Sequence, residues 1–248
     1  MWGSGKYPAV AEKISAMGQL VVERSGVEPG MEVLDVACGT GNATIPAARV
    51  GARVTGLDLL PALLATARER AADAMVEVTW VEGDIEAMPF EDASFDRVVS
   101  TVGHMFAPDH GRTAAEMLRV CRPGGVIATC SWTPEGAIGQ MFRTVAALVP
   151  PPPGAQSPLL WGTEEHVREL LGDAEFERHQ VEWRDDSVES YAQFVLESFG
   201  PLLNARETLG ERADELRDAY MRYLEDVNLE HDGSLRFYGE YLLALVRL

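Results

Sequence analysis

The stretch VLDVACGTGNAT, residues Val33–Thr44, decides how the rest of this 248-residue sequence is interpreted. An apolar, β-rich run contains an acidic residue and then breaks into two glycines one residue apart, Gly39 and Gly41. Glycine adopts a positive φ without strain and lets a ligand approach the backbone closely. The residues from 43 to 50 are predicted to form a helix, and the first turn of a helix presents N–H groups that have no intrahelical partner. The stretch therefore predicts a strand, a ligand-binding loop and a helix.

The loop can be compared with two known kinds of phosphate-binding loop. A P-loop requires GxxxxGK[ST], and this stretch has no lysine, so an ATP site is not expected. A dinucleotide fingerprint requires GxGxxG, and here Thr44 stands where the third glycine belongs. Asp58 follows Gly39 by about 20 residues, a spacing that suits a ribose diol in either kind of nucleoside cofactor. The loop and this spacing alone do not identify which cofactor binds.

Three acidic residues favour one cofactor. Asp35 lies in the first predicted strand, Asp58 ends the second and Asp84 follows the third. An acid at Asp35 would oppose a pyrophosphate, whereas it could orient the loop or attract a cation. A ligand with a positive centre, a ribose diol and an adenine, but without phosphate, satisfies all three positions. S-adenosylmethionine is such a ligand.

Strand-like and helical segments alternate over the first part of the chain. This alternation predicts βαβ units and a doubly wound α/β fold with a mainly parallel sheet. Beyond Trp132 we expect an extended proline segment at Pro150–Gly154 and a helical region interrupted near Gly200 and Gly210. The predicted strands are 32–37, 53–57, 76–81, 95–101, 126–132, 175–183 and 235–247, and the predicted helices are 10–24, 43–50, 61–74, 111–120, 137–148, 163–171 and 187–228.

The composition limits the partners. The chain has 21 basic and 39 acidic residues and a net charge of -18, which would repel a polyanion. We therefore expect neither nucleic acid nor an anionic membrane as a partner. Three cysteines without metal-ligand spacing predict no metal site and suit a reducing compartment. Since the N-terminal residues lack the apolar region of a signal peptide and no segment is long enough for a membrane span, we expect a cytoplasmic protein.

Four segments together resemble the class I S-adenosylmethionine-dependent methyltransferases, especially the broad group that includes the ubiquinone and menaquinone C-methyltransferases. The resemblance implies a Rossmann-like sheet of seven mainly parallel strands with an antiparallel last strand, for which residues 235–247 are the candidate. It also implies helical lid insertions and the cofactor S-adenosylmethionine, with S-adenosylhomocysteine as the product. The segments span residues 33–132 in the family's order and read VLDVACGTGNAT, GLDLLPALLATAR, VEGDIEAMPFEDASFDRVVS and EMLRVCRPGGVIATCSW.

The same resemblance assigns roles to cofactor-binding residues. Gly39 and Gly41 would line the methionine part, and Asp58 would hold the ribose hydroxyls. Leu59 would pack on the adenine, with Asp84 and Ile85 at its edge. Asp35 would lie under the loop, either near the amino group of the cofactor or only as an organiser of the loop. The complete predicted cofactor site is Asp35, Ala37, Gly39, Gly41, Asp58, Leu59, Asp84, Ile85 and Thr101.

His104 is the candidate catalytic residue. It lies in the segment Ser100–His110, which follows the fourth strand, and histidine titrates near neutral pH. A general base is needed only if the methyl acceptor carries a proton at working pH, because in-line methyl displacement chiefly requires alignment and exclusion of water. A structural or cofactor-packing histidine is the alternative interpretation. The candidate substrate contacts are Tyr7, His104, Phe106, Trp132, Phe142 and Phe194.

These observations predict a single methyltransferase domain over residues 1–248 that acts on a small organic molecule. Residues 31–132 would bind the cofactor, while residues 1–30, 133–162 and 187–230 would form a lid over the acceptor. A monomer or a homodimer is expected. Two other functions stay open at this point, an NAD(P)-dependent oxidoreductase and a non-catalytic protein that binds the cofactor as a scaffold.

Overall fold

A seven-stranded sheet organises the chain. The computed structural model describes residues 7–152 and 154–248, with side chains from residue 9 onward. The strands are β1 (Glu32–Val36), β2 (Arg53–Asp58), β3 (Thr79–Glu82), β4 (Phe95–Thr101), β5 (Cys121–Trp132), β6 (Ala174–Asp185) and β7 (Leu235–Arg247).

The topology of the sheet confirms the predicted fold class. The spatial order is β3-β2-β1-β4-β5-β7-β6. The pairs from β3 through β5 are parallel, and β7 runs antiparallel to both β5 and β6. The order of the strands reverses between β1 and β4, and the crevice beyond the carboxyl ends of two such strands is where open α/β sheets bind ligands.

Ten α-helices connect or cover the strands over the described residues. Where helices were predicted, helices are found, and the long C-terminal helical region is interrupted at Phe199 and at Gly210, near the expected positions. The helices are α1 (Tyr7–Lys13), α2 (Ser15–Arg24), α3 (Thr44–Val50), α4 (Pro61–Asp73), α5 (His110–Val120), α6 (Ala137–Leu148), α7 (Glu164–Leu171), α8 (Val188–Ser198), α9 (Gly200–Leu209) and α10 (Ala213–Val227).

The N-terminal helix and strand β5 have boundaries that differ from the predicted ones. The N-terminal helix is divided at Ile14 into α1 and α2. Strand β5 begins at Cys121 and so includes the RPGG segment, which lies between the predicted helix 111–120 and the predicted strand 126–132. The register between β4 and β5 passes from Phe95↔Cys121 to Arg97↔Val126, so the extra residues form a bulge. A β-bulge adds residues to one strand without ending the pairing, which is why a turn-like sequence lies inside a strand here.

Five helices, one before the sheet and four from the C-terminal half of the chain, pack on one another. Helix α10 contacts α6, α8 and α9, and α1 contacts α8. We call α1, α6, α8, α9 and α10 the lid helices. Among the helices of the described residues, none combines the length and the apolar composition needed to cross a bilayer.

Two buried carboxylates hold the loop between β1 and α3, which we call the glycine loop (residues 37–43). Asp58 Oδ2 accepts a hydrogen bond from Gly39 N at 2.7 Å, and its Oδ1 accepts one from Leu60 N at 2.9 Å. Asp35 Oδ2 accepts a hydrogen bond from the Thr44 hydroxyl. The loop is thereby tied to the strand before it, to the helix after it and to the neighbouring strand.

Asp35 generates a prediction about the pH dependence of stability. Burial raises the pKa of Asp35 from 3.8 to about 7, although hydrogen bonds from Thr44 oppose this shift. The folded protein therefore holds more protons than the unfolded chain between those values, and the free energy of unfolding falls as pH rises through that range. In Asp35→Asn the amide oxygen still accepts the Thr44 hydroxyl, but the residue stays neutral. We expect the variant to gain on the order of 1–3 kcal/mol relative to the wild type between pH 5 and pH 8.

Urea unfolding of both proteins at several pH values measures this difference. Asp218→Asn, at an exposed position of α10, is the matched control and should follow the wild type. A stability difference between Asp35→Asn and the wild type that is the same at pH 5 and pH 8 would contradict a titration of Asp35 in that range.

Candidate functional site

A cavity of about 340 Å³ opens at the carboxyl ends of β1, β2 and β4. It continues from the sheet core to the lid helices, so we name its two parts. The core end is lined by Ala37, Gly39, Asp58, Leu59, Leu60, Leu63, Asp84, Ile85, Glu86, Val102 and Gly103. The lid end is lined by Val10, Ile14, Phe106, Ala107, Pro108, Trp132, Ile138, Met141, Trp183, Tyr191, Val195 and Phe199.

Asp58 is the most constrained polar group at the core end. Its side chain is buried, and each carboxylate oxygen is already held by one backbone N–H. Burial raises the pKa of this carboxyl group, while the N–H groups of Leu60, Gly39 and Leu59 oppose the shift. Each oxygen of a carboxylate can accept more than one hydrogen bond, so Asp58 can also accept from two adjacent hydroxyl groups of a ligand.

Gly39 presents bare backbone to the cavity. Its φ is +55°, and a Cβ placed on it would meet no atom within 4 Å. The open space beside this residue belongs to the cavity. A ligand can therefore lie directly against the glycine loop, at a position where a side chain would occupy the ligand's space.

An apolar surface and a second carboxylate complete the core end. Leu59 is 60% exposed although it is a large hydrophobic residue, and it lines the cavity. Asp84 Oδ1 accepts a hydrogen bond from Glu86 N at 2.9 Å, which holds the carboxylate at the cavity edge beside the buried Ile85. Leu59 therefore offers an apolar face on which a flat ring can pack, and the Asp84 carboxylate can accept hydrogen bonds from N–H groups of that ring.

Three of the predicted cofactor contacts do not line this cavity. Asp35 is 1% exposed and lies behind the glycine loop, where it binds Thr44. Gly41 lines a separate cavity that includes Arg70. Thr101 Oγ1 is buried without a hydrogen-bond partner among the described residues. Of the two roles considered for Asp35, the geometry favours that of a loop organiser, because its buried carboxylate binds Thr44 and does not line the cavity.

His104 lies in the protein core, and this position corrects its prediction as a catalytic base and substrate contact. Its side chain is 0% exposed and does not line the cavity. Nδ1 lies 3.1 Å from Ser100 Oγ, and Nε2 lies 3.0 Å from Ser131 Oγ. Because Ser100 Oγ donates its proton to Val36 O at 2.6 Å, it must accept from His104 Nδ1–H, and Nε2 then accepts from the Ser131 hydroxyl.

The electrostatic environment of His104 also opposes proton transfer. Burial lowers the pKa of His104 to about 3, and the nearby His110 contributes to the same shift. The ring packs edge-on against Trp161, with 4.8 Å between the ring centroids. His104 is therefore a neutral structural residue that joins two strand ends, as in the alternative interpretation of the sequence.

The predicted substrate contacts divide into two groups. Phe106 and Trp132 line the lid end. Phe142 lies behind the cavity wall, between Phe106 and Phe199, at centroid distances of 6.0 and 6.3 Å. Phe194 also lies outside the wall, where its ring is 5.8 Å from the Lys13 ammonium group. The side chain of Tyr7 lies outside the described part of the chain.

Much of the lid end was not predicted as a site. Tyr191 and Val195 on α8, and Phe199 directly after it, follow one another at intervals of four residues. This spacing could have identified the cavity face in place of Phe194. Trp183 carries no comparable sequence signal. It reaches the cavity because β6 pairs with β7, which places Trp183 opposite Phe237.

Comparison with known proteins supports a family assignment. A family model described as a methyltransferase domain matches residues 33–125, which include the glycine loop, Asp58 and Asp84. The chain is 40% identical over 256 aligned residues to the uncharacterized protein Rv1405c of Mycobacterium tuberculosis, and the match covers 98% of this chain and 91% of that protein. It is 49% identical over 175 residues to Rv1403c of the same organism, covering 70% of this chain but only 64% of that relative.

A third relative carries a functional name. The demethylmenaquinone methyltransferase of Renibacterium salmoninarum is 37% identical over 142 residues, or 55% of this chain and 57% of that protein. Among solved structures, a putative methyltransferase from Bacillus halodurans has the same fold, with a TM-score of 0.64, 20% identity and coverage of 94% of this chain and 98% of that one. The matched domain, the relatives and the sheet topology agree, and the chain belongs to the class I S-adenosylmethionine-dependent methyltransferase family.

Proposed function

We propose that this protein transfers a methyl group from S-adenosylmethionine to a small organic molecule. The observation that carries the proposal is one continuous cavity with two chemically different ends. The core end offers carboxylates and bare backbone to a nucleoside-containing ligand, and the lid end offers an apolar enclosure. Ligand pockets commonly combine mostly apolar walls with a few placed polar groups.

The residues at the core end fit S-adenosylmethionine by their donor and acceptor set. Asp58 would accept from the ribose hydroxyls, and the open backbone at Gly39 would lie against the methionine part. Leu59 would cover the adenine ring, while Asp84 would accept from its amino group. A solved structure of Haemonchus contortus phosphoethanolamine N-methyltransferase 2 with S-adenosylhomocysteine shares the fold, with a TM-score of 0.57 and 21% identity over 94% of this chain and 52% of that one.

The lid end would position the methyl acceptor and exclude water. When bound, S-adenosylmethionine supplies an electrophilic methyl group on a positively charged sulfur. The described residues of the lid end include no Asp, Glu, Lys, Arg or His. Their aromatic and aliphatic side chains would hold the acceptor in line with the methyl group and keep water away from it. The proposal therefore gives His104 no role as a general base.

The proposal includes the cellular location, the oligomeric state and the excluded partners expected from the sequence. We keep the prediction of a cytoplasmic protein, a monomer or homodimer, that binds neither nucleic acid nor membranes. The lid boundaries at residues 133–162 and 187–230 also stay predictions. An NAD(P)-dependent oxidoreductase and a cofactor-binding scaffold are the alternatives that the following experiment separates from methyl transfer.

Calorimetric titration with S-adenosylmethionine, S-adenosylhomocysteine, NAD and NADP tests the cofactor. We expect binding of the first two alone. Asp58→Ala should weaken their binding by about 1–3 kcal/mol, because the ligand loses hydrogen bonds to a charged group and the glycine loop loses its partner at Gly39. Asp218→Ala is the control and should bind like the wild type. Binding of a nicotinamide cofactor in place of S-adenosylmethionine would overturn the proposal.

His104→Ala tests the structural role assigned to this residue. The substitution removes the partner of the Ser131 hydroxyl, leaves Ser100 Oγ with Val36 O alone, and opens a hole in the core. We expect the free energy of unfolding to fall by about 2–4 kcal/mol in urea denaturation. The affinity for S-adenosylhomocysteine should change less than in Asp58→Ala. His231→Ala, at an exposed position, should stay within about 0.5 kcal/mol of the wild type. Unchanged stability of His104→Ala would contradict the assigned role.

A further inference from the structure

Asn42 connects the glycine loop to the first lid helix. Its side-chain Nδ2 donates a hydrogen bond to Ala11 O in α1 at 2.7 Å. Its Oδ1 accepts one from Arg70 Nη1 at 3.1 Å, and the same nitrogen donates to Thr40 O and to Thr40 Oγ1, each at 2.7 Å. A guanidinium group is a donor only, so these contacts decide the orientation of the Asn42 amide. The amide oxygen faces Arg70, and the NH2 group faces α1.

The backbone of Asn42 is held in place by close packing against α2. A Cβ on Gly18 would lie 2.1 Å from Asn42 O, so a glycine is required where this helix meets the loop. Gly18 is itself buried in that contact. The side-chain amide of Asn42 therefore reaches α1 from a backbone that α2 keeps in position.

Helix α1 depends on other elements for its position. It has seven residues, and isolated helices shorter than about 12–15 residues are marginal in water. Ala11 O, in its last turn, accepts from Ile14 N at 3.2 Å and from Asn42 Nδ2 at 2.7 Å. On the side of α8, Lys13 Nζ lies 5.8 Å from the centroid of the Phe194 ring, within the range of a cation–π contact. The bond from Asn42 is thus the shorter of the two that end the helix.

Glu12 of α1 adds an electrostatic attraction to the same arginine. Burial lowers the pKa of Arg70, and the Glu12 carboxylate opposes this shift. Because Glu12 is exposed, solvent screens its attraction to the guanidinium group. The part-buried hydrogen bond from Asn42 to Ala11 O is therefore the stronger link between α1 and the loop.

Helix α1 supplies part of the wall at the lid end. Val10 in α1 and Ile14, one helical turn later, both line that end and are 8% and 7% exposed. Gly39, in the loop to which Asn42 belongs, lines the core end. Displacement of α1 from the loop would open the lid end and leave the core end unchanged.

We propose that Asn42 is a positioning residue that holds α1 against the glycine loop, so that the loop beside the cofactor also sets the wall beside the methyl acceptor. The proposal rests on the function proposed above, which places the cofactor and the acceptor at the two ends of the cavity. Asn42 does not line that cavity and acts through α1. A ligand that packs on Val10 and Ile14 favours the held position of α1, and by linkage the held position favours the ligand.

Hydrogen–deuterium exchange of the ligand-free protein, read by mass spectrometry over residues 7–14, measures how firmly α1 is held. In Asn42→Asp the carboxylate still accepts from Arg70 but has no proton to donate to Ala11 O. We expect exchange over residues 7–14 to be at least about fivefold faster than in the wild type, because one hydrogen bond is lost and two acceptors face each other. Exchange over α5 should not change.

Gln19→Glu is the matched control. It makes the same amide-to-acid change at an exposed position of α2, beside the separate cavity that Asn42 and Arg70 also line. Exchange over residues 7–14 should match that of the wild type in this variant. Equal acceleration in the two variants would assign the effect to the added charge and overturn the role of the Asn42 hydrogen bond.

Calorimetric titration with S-adenosylhomocysteine tests the link between the two ends of the cavity. We expect Asn42→Asp to bind this ligand about twofold to fivefold more weakly than the wild type, because binding to the variant must also order α1. Gln19→Glu should bind like the wild type. In the wild type, the bound ligand should slow exchange over residues 7–14 further.

The outcomes separate this proposal from the one on which it rests. If S-adenosylhomocysteine does not bind the wild type, the proposed function fails, while the ligand-free exchange still decides whether Asn42 holds α1. Unchanged exchange over residues 7–14 in Asn42→Asp, or acceleration spread over the whole chain, would overturn the role of Asn42. If the ligand binds the wild type and Asn42→Asp equally well, the link between the two ends is overturned.

Discussion

The hydrogen bond from Gly39 N to the Asp58 carboxylate is the interaction on which the candidate site depends. It joins the end of β2 to the loop that follows β1, while a second oxygen of Asp58 holds the chain at Leu60. On the opposite side of the loop, Asp35 binds Thr44. With both sides restrained, the bare backbone at Gly39 faces the cavity in one defined orientation. The core end is therefore organised before any ligand arrives, which lowers the ordering cost of binding.

Two of the four non-glycine residues with a positive φ among the described residues lie at the same edge of the sheet. Ala37 has a φ of +53° and Val102 a φ of +67°, and they follow β1 and β4, the two strands between which the strand order reverses. Positive φ is unfavourable for residues with a Cβ and persists where the surroundings over-determine it. Gly103 is part of those surroundings, because a Cβ on it would lie 2.5 Å from the Ala37 carbonyl oxygen. The two strained residues line the cavity, so its shape is set by rigid backbone.

The lid end is assembled differently, from side chains that belong to distant parts of the chain. Trp132 comes from the last parallel strand, Trp183 from the far edge strand β6, and Tyr191 from the first helix after it. The Trp183 ring stacks on Phe237 and is packed edge-on by Tyr191, and these contacts fix this part of the wall. The two ends of the cavity therefore share few elements of the structure.

The sequence by itself determined the order of strands and helices and identified six of the residues that line the core end of the cavity. Period-2 and helical patterns, the glycine pair at Gly39 and the acids that end successive parallel strands are local signals, and the carboxyl ends of such strands must meet at one edge. Only the tertiary structure decided that His104 lies between two serines and that Trp183 lines the lid end of the cavity. Those outcomes depend on strand pairing and helix packing between residues far apart in the chain, and no local pattern encodes which side of a buried ring faces a cavity.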